Sequence, residues 1–542
     1  MNEFFSYSST IMRTVLLVAG CILVLAGAAV PTGAQPTYDL LIENGRVLDG
    51  SGNPWVRADV AVDGERIAAV GDLRGARADT VIDMSGHYVA PGFIDAHSHA
   101  GGGLADSTLS GAHQLLAQGI TTVLINPDGG GAIDLDAQRD SLIKHGLGVH
   151  AAPLVPHGSI REEVMGRADR APTDAELKEM KALVREAMEA GGFGLSSGPF
   201  YVPGSYAETE EYVATARVAA KYGGVYQSHI RDESNYSVGL IAAVDEVIRI
   251  ARKADLPGIV THVKALGPRV WGFSSAVEQR VERARAEGVE VFADQYPYTA
   301  SATSLTAALV PRWAQAGGRD SLVHRLRDPE TRARIREQMV PNLAQRGGAD
   351  RLQFRSYDPA PSIEGRTLAD VAAKRDEDPL ATALDLIEDG TPGVVSFNML
   401  AEDVKRFMRQ PWTMTSSDGG LGPMGEGVPH PRNYGAFPRK LRTYVQDEGV
   451  IDLGFAIRSM MQLTASVLGM EERGRLERGA KADVVVFDPE RINDPATFQS
   501  PHQYADGVVH VLVNGTWALK EGEVTGKRAG TVLRHGDRRE AQ

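Results

Sequence analysis

The sequence predicts an α/β fold: a (β/α)8 TIM-like barrel joined to a small β-sandwich domain that the N- and C-terminal segments build together. Two observations carry this. The middle of the chain alternates apolar, β-rich runs with helical stretches, the arrangement of βα units around a parallel sheet. Eight such runs can be read: "YVAPGFIDAHSH", "GITTVLIN", "GVHAAPLV", "GFGLSSG", "GGVYQSHIR", "GIVTHVKA", "VEVFADQYPY" and "WTMTSSDGG". Both ends instead place short β-rich runs around Asn-Gly and Asp-Gly turns, the mark of antiparallel hairpins, so the two ends can pair and leave the middle as an insertion between them.

In chain order, residues 1–34 are set aside from the fold. Met12 and Arg13 lead into "TVLLVAGCILVLAGAAV" and then "PTGAQP", the charged, apolar and small-residue order of an export signal cut after Ala34. The apolar run is short for a membrane span, and it continues past Cys21, which weighs against a lipoprotein site there. The expectation is an exported chain, periplasmic or secreted, with no stable span once the signal is removed.

The small β domain is expected over residues 35–90 and 470–530, from stretches such as "YDLLIENGRVLDGSG" at one end and "VVHVLVNGTWALKEGEVTG" at the other. The barrel takes residues 91–469, with helices such as "DAELKEMKALVREAMEA" and "SSAVEQRVERARAEG" between its strands. Between strands seven and eight, residues 301–392 or so hold charged helices such as "DPETRARIREQMV" and are too long for a plain loop. This inserted subdomain leaves from the C-terminal end of a strand, so it is expected over the barrel mouth as a lid or specificity element.

A net charge of -13 with no basic block excludes nucleic acid and anionic membrane as partners and leaves small-molecule chemistry. Cys21 is the only cysteine and lies in the signal. The mature chain therefore has no disulfide, thiolate ligand or cysteine nucleophile.

In "GFIDAHSHA", His97 and His99 are two apart on a strand, so both point to one face, with Asp95 beside them. His229 in "YQSHIRDES", His262 in "IVTHVKALG" and Asp418 in "MTSSDGGLG" each close an apolar run in the same way. Any one of them alone reads as a satisfied polar strand end. Together, at the C-terminal ends of barrel strands where catalytic groups gather, four imidazoles and a carboxylate are the donor set of a divalent ion such as zinc.

The chain resembles the amidohydrolase superfamily and, within it, the N-acyl-D-amino-acid deacylases or D-aminoacylases, over nearly all of the mature sequence. Beyond the widespread "GFIDAHSH", the match rests on "GITTVLINPDGG", "GLSSGPFYVPGSYA", "QSHIRDE", "THVKALG", "DQYPYTA" and "HPRNYGAFPR". The resemblance implies that His97, His99, His229, His262 and Asp418 hold one or two zinc ions. The family's remaining ligand is a cysteine in a "GNCG" motif after strand two, where this chain reads Asn126, Pro127, Asp128, Gly129. Related enzymes use a carboxylated lysine on strand four, and "GFGLSSG" has no lysine. Asp128 is therefore expected to stand in for the thiolate, one anion for another; the competing reading is an Asx-type turn that happens to hold an aspartate.

The implied chemistry is amide hydrolysis. A bound ion lowers the pKa of its water toward about 7 and polarises the carbonyl, so that hydroxide attacks, while Asp418 takes the water's proton and hands it to the leaving amine. Lys264, Arg432, Tyr296 and Tyr201 match the residues that grip the substrate α-carboxylate in similar deacylases; His157 and Arg161 end strand three and are expected to line the pocket. The expected substrates are N-acyl-D-amino acids or dipeptides with a C-terminal D residue. One rival is a cyclic-amide hydrolase of the dihydroorotase or hydantoinase kind, disfavoured by the missing strand-four lysine and by "HPRNYGAFPR". The other is a metal-free barrel acting as a binding or scaffold protein, against which the retained ligands count.

Overall fold

Eight parallel strands form a ring in the computed structural model, which describes residues 37–536; the expected export signal lies outside them. Pairing runs from Phe93–Asp95 to Ile120–Ile125 to His150–Pro153. It resumes at Val155–Pro156 and continues through Gly194–Ser197, Val225–Ser228, Gly258–Val260 and Val291–Gln295 to Thr413–Thr415. The third strand is split at Leu154, whose N–H still donates to Ile125 O at 3.0 Å. Closure comes from Ala96 N–H donating to Thr415 O at 3.3 Å and from the short parallel pair Ser98–His99 with Gly419–Gly420. All six residues of Ile120–Ile125 are buried, as expected of a parallel strand covered on both faces.

The run "YVAPGFIDAHSH" is thus three pieces rather than one strand. Tyr88–Pro91 belongs to the small sheet, Phe93–Asp95 to the barrel and Ser98–His99 to the closing pair. The break falls at Gly92, where a Cβ would meet Thr121 Oγ1 at 2.2 Å. The barrel helices form where the 3.6-residue period puts them. Asp174–Glu189 starts on a capping box in which Thr173 and Glu176 satisfy each other's backbone N–H groups, and it buries Met180, Val184, Ala187 and Met188. Burying each large aliphatic side chain on that stripe stabilises the fold by about 1.5–3 kcal/mol.

The chain ends make one nine-stranded sheet, in which Val484–Phe487 pairs antiparallel with Tyr88–Pro91 and so joins the C-terminal strands to the N-terminal ones. Strand alternation divides its two faces. Val484, Val486 and Leu512 enter a core with Leu40, Ile42, Val60 and Val62, while Val485, Phe487, Val511 and Val513 pack against the barrel.

After barrel strand seven the chain enters an antiparallel sheet of Ser301–Ser304, Gly393–Ser396 and Leu352–Ser356, in that spatial order. The strand Gly393–Ser396 extends this insert slightly past residue 392. Helices including Arg319–Arg327, Pro329–Gln345 and Pro379–Asp389 cover it around a core of its own. Among the described residues no helix is long and apolar enough to cross a membrane.

Candidate metal centre

The barrel mouth gathers side chains from five strands: His97 and His99 after the first, Asp128 after the second, His229 after the fifth, His262 after the sixth and Asp418 after the eighth. The turn carrying Asp128 is pinned. Ser196 Oγ donates to Asn126 O at 2.6 Å, Asn126 Nδ2 to Gln138 Oε1 at 2.8 Å, and Ser159 N–H to Gly129 O at 2.9 Å. A Cβ on Gly198 would lie 2.3 Å from Asp128 O, so only glycine lets the fourth strand pass this close. Asp128, His262 and Asp418 have φ of 56°, 35° and 49°. Such left-handed backbone costs of order 1–3 kcal/mol, clusters at functional sites, and is tolerated better by aspartate than by most residues.

Asp128 faces every imidazole of the group. Its Oδ1 lies 3.5 Å from His97 Nε2, 3.7 Å from His229 Nδ1 and 3.6 Å from His262 Nε2, and its Oδ2 lies 3.6 Å from His99 Nε2. Asp418 Oδ1 stands 3.2 Å from His99 Nε2 and 3.7 Å from His97 Nε2. Most of these gaps are too long for hydrogen bonds. Donors each about 2.0–2.2 Å from one tetrahedral ion are separated by roughly 3.3–3.6 Å, which is the spacing found. The donors are also uncommitted, since both ring nitrogens of His97 and of His229, and Asp128 Oδ1, are buried without a hydrogen-bond partner. These residues fit a divalent ion: His97, Asp128 and His262, His97, His99 and Asp418, and His229, Glu233 and His262 each bring donor atoms within 4.8 Å of one another.

Electrostatics agree. Burial pushes His97 down to about 3, so at neutral pH the ring is uncharged and one of its nitrogens offers a lone pair. Burial opposes the charge on Asp128, but the facing imidazoles, His97 foremost, hold it well below the usual carboxylate range. Burial likewise opposes the charge on Asp418, but Arg432, then His262, keep it low. Burial and Lys264 press His262 down, yet Glu233 and Asp418 outweigh them and carry it up to about 10. The anions around His262 thus favour positive charge where an ion would sit. Glu233 Oε1 lies 3.0 Å from His262 Nδ1 and 2.6 Å from Lys264 Nζ, and Lys264 Nζ lies 2.7 Å from the same Nδ1, so a carboxylate and an ammonium together back the imidazole, and second contacts of this kind fix a ligand ring's orientation.

Lys264, Arg432, Tyr296 and Tyr201 all line the same cavity, about 590 Å³ in volume. Arg432 Nη1 is 2.7 Å from Asp418 Oδ2, and its guanidinium lies over Tyr296 at 4.6 Å, with Lys264 Nζ 5.5 Å from the same ring. His430 sets this geometry: its Nδ1 accepts from Arg432 N–H at 3.0 Å while its Nε2 bonds Ala300 O at 3.0 Å. The Tyr201 ring lies tilted, 4.6 Å from that of His229, and its hydroxyl meets Thr303 Oγ1 at 3.3 Å.

Two expectations are corrected. His157 is not brought to the cavity; its ring packs 4.4 Å from Tyr212 and lies 3.1 Å from Glu211 Oε1, and Arg161 binds the same oxygen at 3.1 Å. It opens a helix, His157–Met165, so strand alternation does not govern its direction. Asp95 does not join the histidines either; its Oδ1 accepts from Ser417 N–H at 2.8 Å, tying the first strand to the Asp418 turn. Residues the sequence reading passed over include Glu233, His430, Arg346 and Arg355, all at the cavity. The i,i+4 spacing of His229 and Glu233 was a signal within "HIRDE"; the arginines come from the insert, whose packing no periodicity gives.

The amidohydrolase family model matches residues 80–518. The chain is 36% identical to the D-aminoacylase of Alcaligenes xylosoxydans xylosoxydans over 527 residues, which cover 92% of this chain and 98% of that protein. Its fold is similar to the crystal structure of N-acyl-D-glutamate deacylase from Bordetella bronchiseptica in complex with zinc and a phosphonate that mimics the tetrahedral intermediate. The TM-score is 0.78 at 34% identity, covering 92% of this chain and 100% of that one. A D-aminoacylase with a binuclear metal centre gives a TM-score of 0.79 at 32% identity over the same shares of the two chains.

Proposed function

The chain belongs to the amidohydrolase family, and from that premise we propose that it is an exported zinc hydrolase. Its substrates are N-acyl-D-amino acids, including dipeptides with a C-terminal D residue. The observation that carries this reading is the set of uncommitted donors facing Asp128, with Lys264 and Arg432 on the wall of the same cavity. His97, His99, Asp128, His229, His262 and Asp418 would hold one or two ions. A bound ion supplies Lewis acidity toward the amide carbonyl and lowers the pKa of water.

The protein's own groups do the rest. Arg432 and Lys264, both lying over the ring of Tyr296, hold the substrate α-carboxylate and present the scissile amide to the donors. Asp418, kept ionised by Arg432, accepts the proton of the attacking water and returns it to the leaving nitrogen. When the substrate carboxylate takes up Arg432, the 2.7 Å contact to Asp418 has a competitor, and Asp418 becomes a stronger base at the moment it is needed. The stereochemical preference follows from fixing three points, the α-carboxylate, the amide and the side chain, in a walled cavity. Export rests on the order of residues in the first 34 positions, and protein recovered from outside the cytoplasm is expected to begin at Gln35.

The test is hydrolysis by the purified, zinc-loaded protein of matched acyl-D and acyl-L amino acids. Turnover confined to the D series is expected. Turnover of acyl-L compounds alone overturns the stereochemical reading, and ring opening of cyclic amides in preference to both moves the chain to the hydantoinase-like reading.

A further inference from the structure

Barrel strand seven brings no donor to the candidate metal centre, yet its aspartate touches the strands on both sides. Asp294 is buried on Val291–Gln295, between strands six and eight. The ladder between strands six and seven ends at Val260, paired with Ala293, and beyond it His262 N–H donates to Asp294 Oδ1 at 2.9 Å. The next N–H, that of Val263, donates to Asp294 O at 2.8 Å. One residue thus catches two successive N–H groups, the first on its side chain and the second on its main chain, and the strand end curls with His262 at a φ of 35°. On the other side, Ser416 Oγ donates to the same Oδ1 at 2.7 Å, two residues before Asp418 at a φ of 49°. The two serines before Asp418 are divided between neighbours, since Ser417 N–H donates to Asp95 Oδ1 on strand one at 2.8 Å. Asp294 Oδ2 is buried without a hydrogen-bond partner, so both bonds of this side chain fall on the oxygen that faces the two strand ends.

Left-handed backbone outside glycine persists only where the surrounding structure over-determines it. At His262 the contacts that do so come from Asp294. An extended His262 would carry its N–H away from Oδ1, and a buried N–H without an acceptor is costly. We propose that Asp294 is a positioning residue of the centre. By taking the His262 N–H and the Ser416 hydroxyl on one oxygen, it holds the strand ends that present His262 Nε2 and Asp418 Oδ1 to an ion. This rests on the metal-hydrolase reading and adds to it a residue that touches neither metal nor substrate.

The experiment measures zinc affinity by competition with a chelator, and the visible absorption of the cobalt(II)-substituted full chain, whose bands follow ligand geometry. Wild type, Asp294→Ala, Asp294→Asn and Ser416→Ala are compared. Asp294→Ala has no acceptor to offer, so its zinc affinity is expected to fall about tenfold or more and its cobalt bands to shift. Asparagine offers the same oxygen to both donors, so Asp294→Asn keeps the bands and stays within about threefold of the wild type in affinity. Ser416→Ala frees the Asp418 side alone, and it shifts the bands with a smaller loss of affinity than Asp294→Ala. Wild-type affinity and bands in Asp294→Ala overturn the inference whatever its melting temperature, because a merely structural residue leaves both unmoved. Shifted bands in Asp294→Asn overturn it too, by assigning the effect to charge rather than to the acceptor. If Asp294→Ala does not fold, Ser416→Ala decides in its place, and unshifted bands there overturn the inference. These readouts need no substrate. Bands that respond as expected, with no acyl-D hydrolysis, uphold the role of Asp294 and overturn the deacylase reading. Acyl-D hydrolysis with bands indifferent to Asp294 does the reverse, and a wild type that binds neither zinc nor cobalt overturns both.

Discussion

Asp128 Oδ1 and His262 Nε2 stand 3.6 Å apart, beyond a hydrogen bond and within the span of two donors sharing an ion. Behind that imidazole, Nδ1 lies 3.0 Å from Glu233 Oε1. Lys264 Nζ lies 2.7 Å from the same Nδ1, so Glu233 and Lys264 together hold the ring with Nε2 facing Asp128.

Glu233→Gln removes a charge beside His262 Nδ1 and leaves Lys264 without its carboxylate partner. Zinc affinity, measured by competition with a chelator, is expected to fall about 10- to 100-fold while His97 and His99 still hold an ion more weakly. Unaltered affinity would mean that Glu233 serves only Lys264.

Arg432→Met removes a carboxylate grip and the cation beside Asp418. Truncating one side of a buried charge pair typically costs 2–5 kcal/mol, so kcat/KM should drop by about 30-fold or more. Because Arg432 lowers the pKa of Asp418, its loss raises that pKa, and the acid limb of the pH–rate profile moves to higher pH. A limb that stays in place would separate Arg432 from Asp418.

Lys440 is buried, donates to Thr415 Oγ1 at 2.7 Å and Ser459 Oγ at 2.8 Å, and burial pushes its pKa down to about 7. Below pH 7 the folded and unfolded chains both carry this proton and the fold bears the cost of burying it. Between about 7 and 10.5 only the unfolded chain retains it, so the fold gains stability as pH rises. Lys440→Met is therefore expected to stabilise the protein at pH 6, by on the order of 2–4 kcal/mol, with the gain shrinking by pH 10. Melting curves at the two pH values check it; a gain independent of pH would assign the effect to packing.

His157→Phe tests the corrected position. With its ring on Tyr212 and beside Glu211, the substitution should cost about 1–2 kcal/mol of stability and leave zinc content and kcat within about twofold. A collapse of kcat with normal stability would return His157 to the substrate pocket.

Much of the candidate centre was legible because barrel strands are buried runs that end in a polar residue at the mouth. His97, His229, His262 and Asp418 could each be found as the polar stop of an apolar stretch. Asp128 was legible by position, since it follows strand two in a glycine-rich turn at the same end of the barrel as the histidines. Strand alternation failed at His157, which belongs to a helix, and at Asp95, which turns inward to Ser417. Arg346 and Arg355 were not legible at all: they stand at a helix end and on a strand of the insert, whose side chains reach the cavity through tertiary packing, and an arginine in a charged stretch looks like solvated surface until its surroundings are known.

The central claim is that Asp128 holds the ion in place of a thiolate. The measurement is zinc content by atomic absorption, with acyl-D-amino-acid turnover, for wild type beside Asp128→Ala. The account predicts about one or two zinc per chain in the wild type, fewer in the variant, and at least a hundredfold loss of turnover on its loss of a metal ligand. Full zinc and full turnover in Asp128→Ala would contradict it and reduce the aspartate to a residue of the turn.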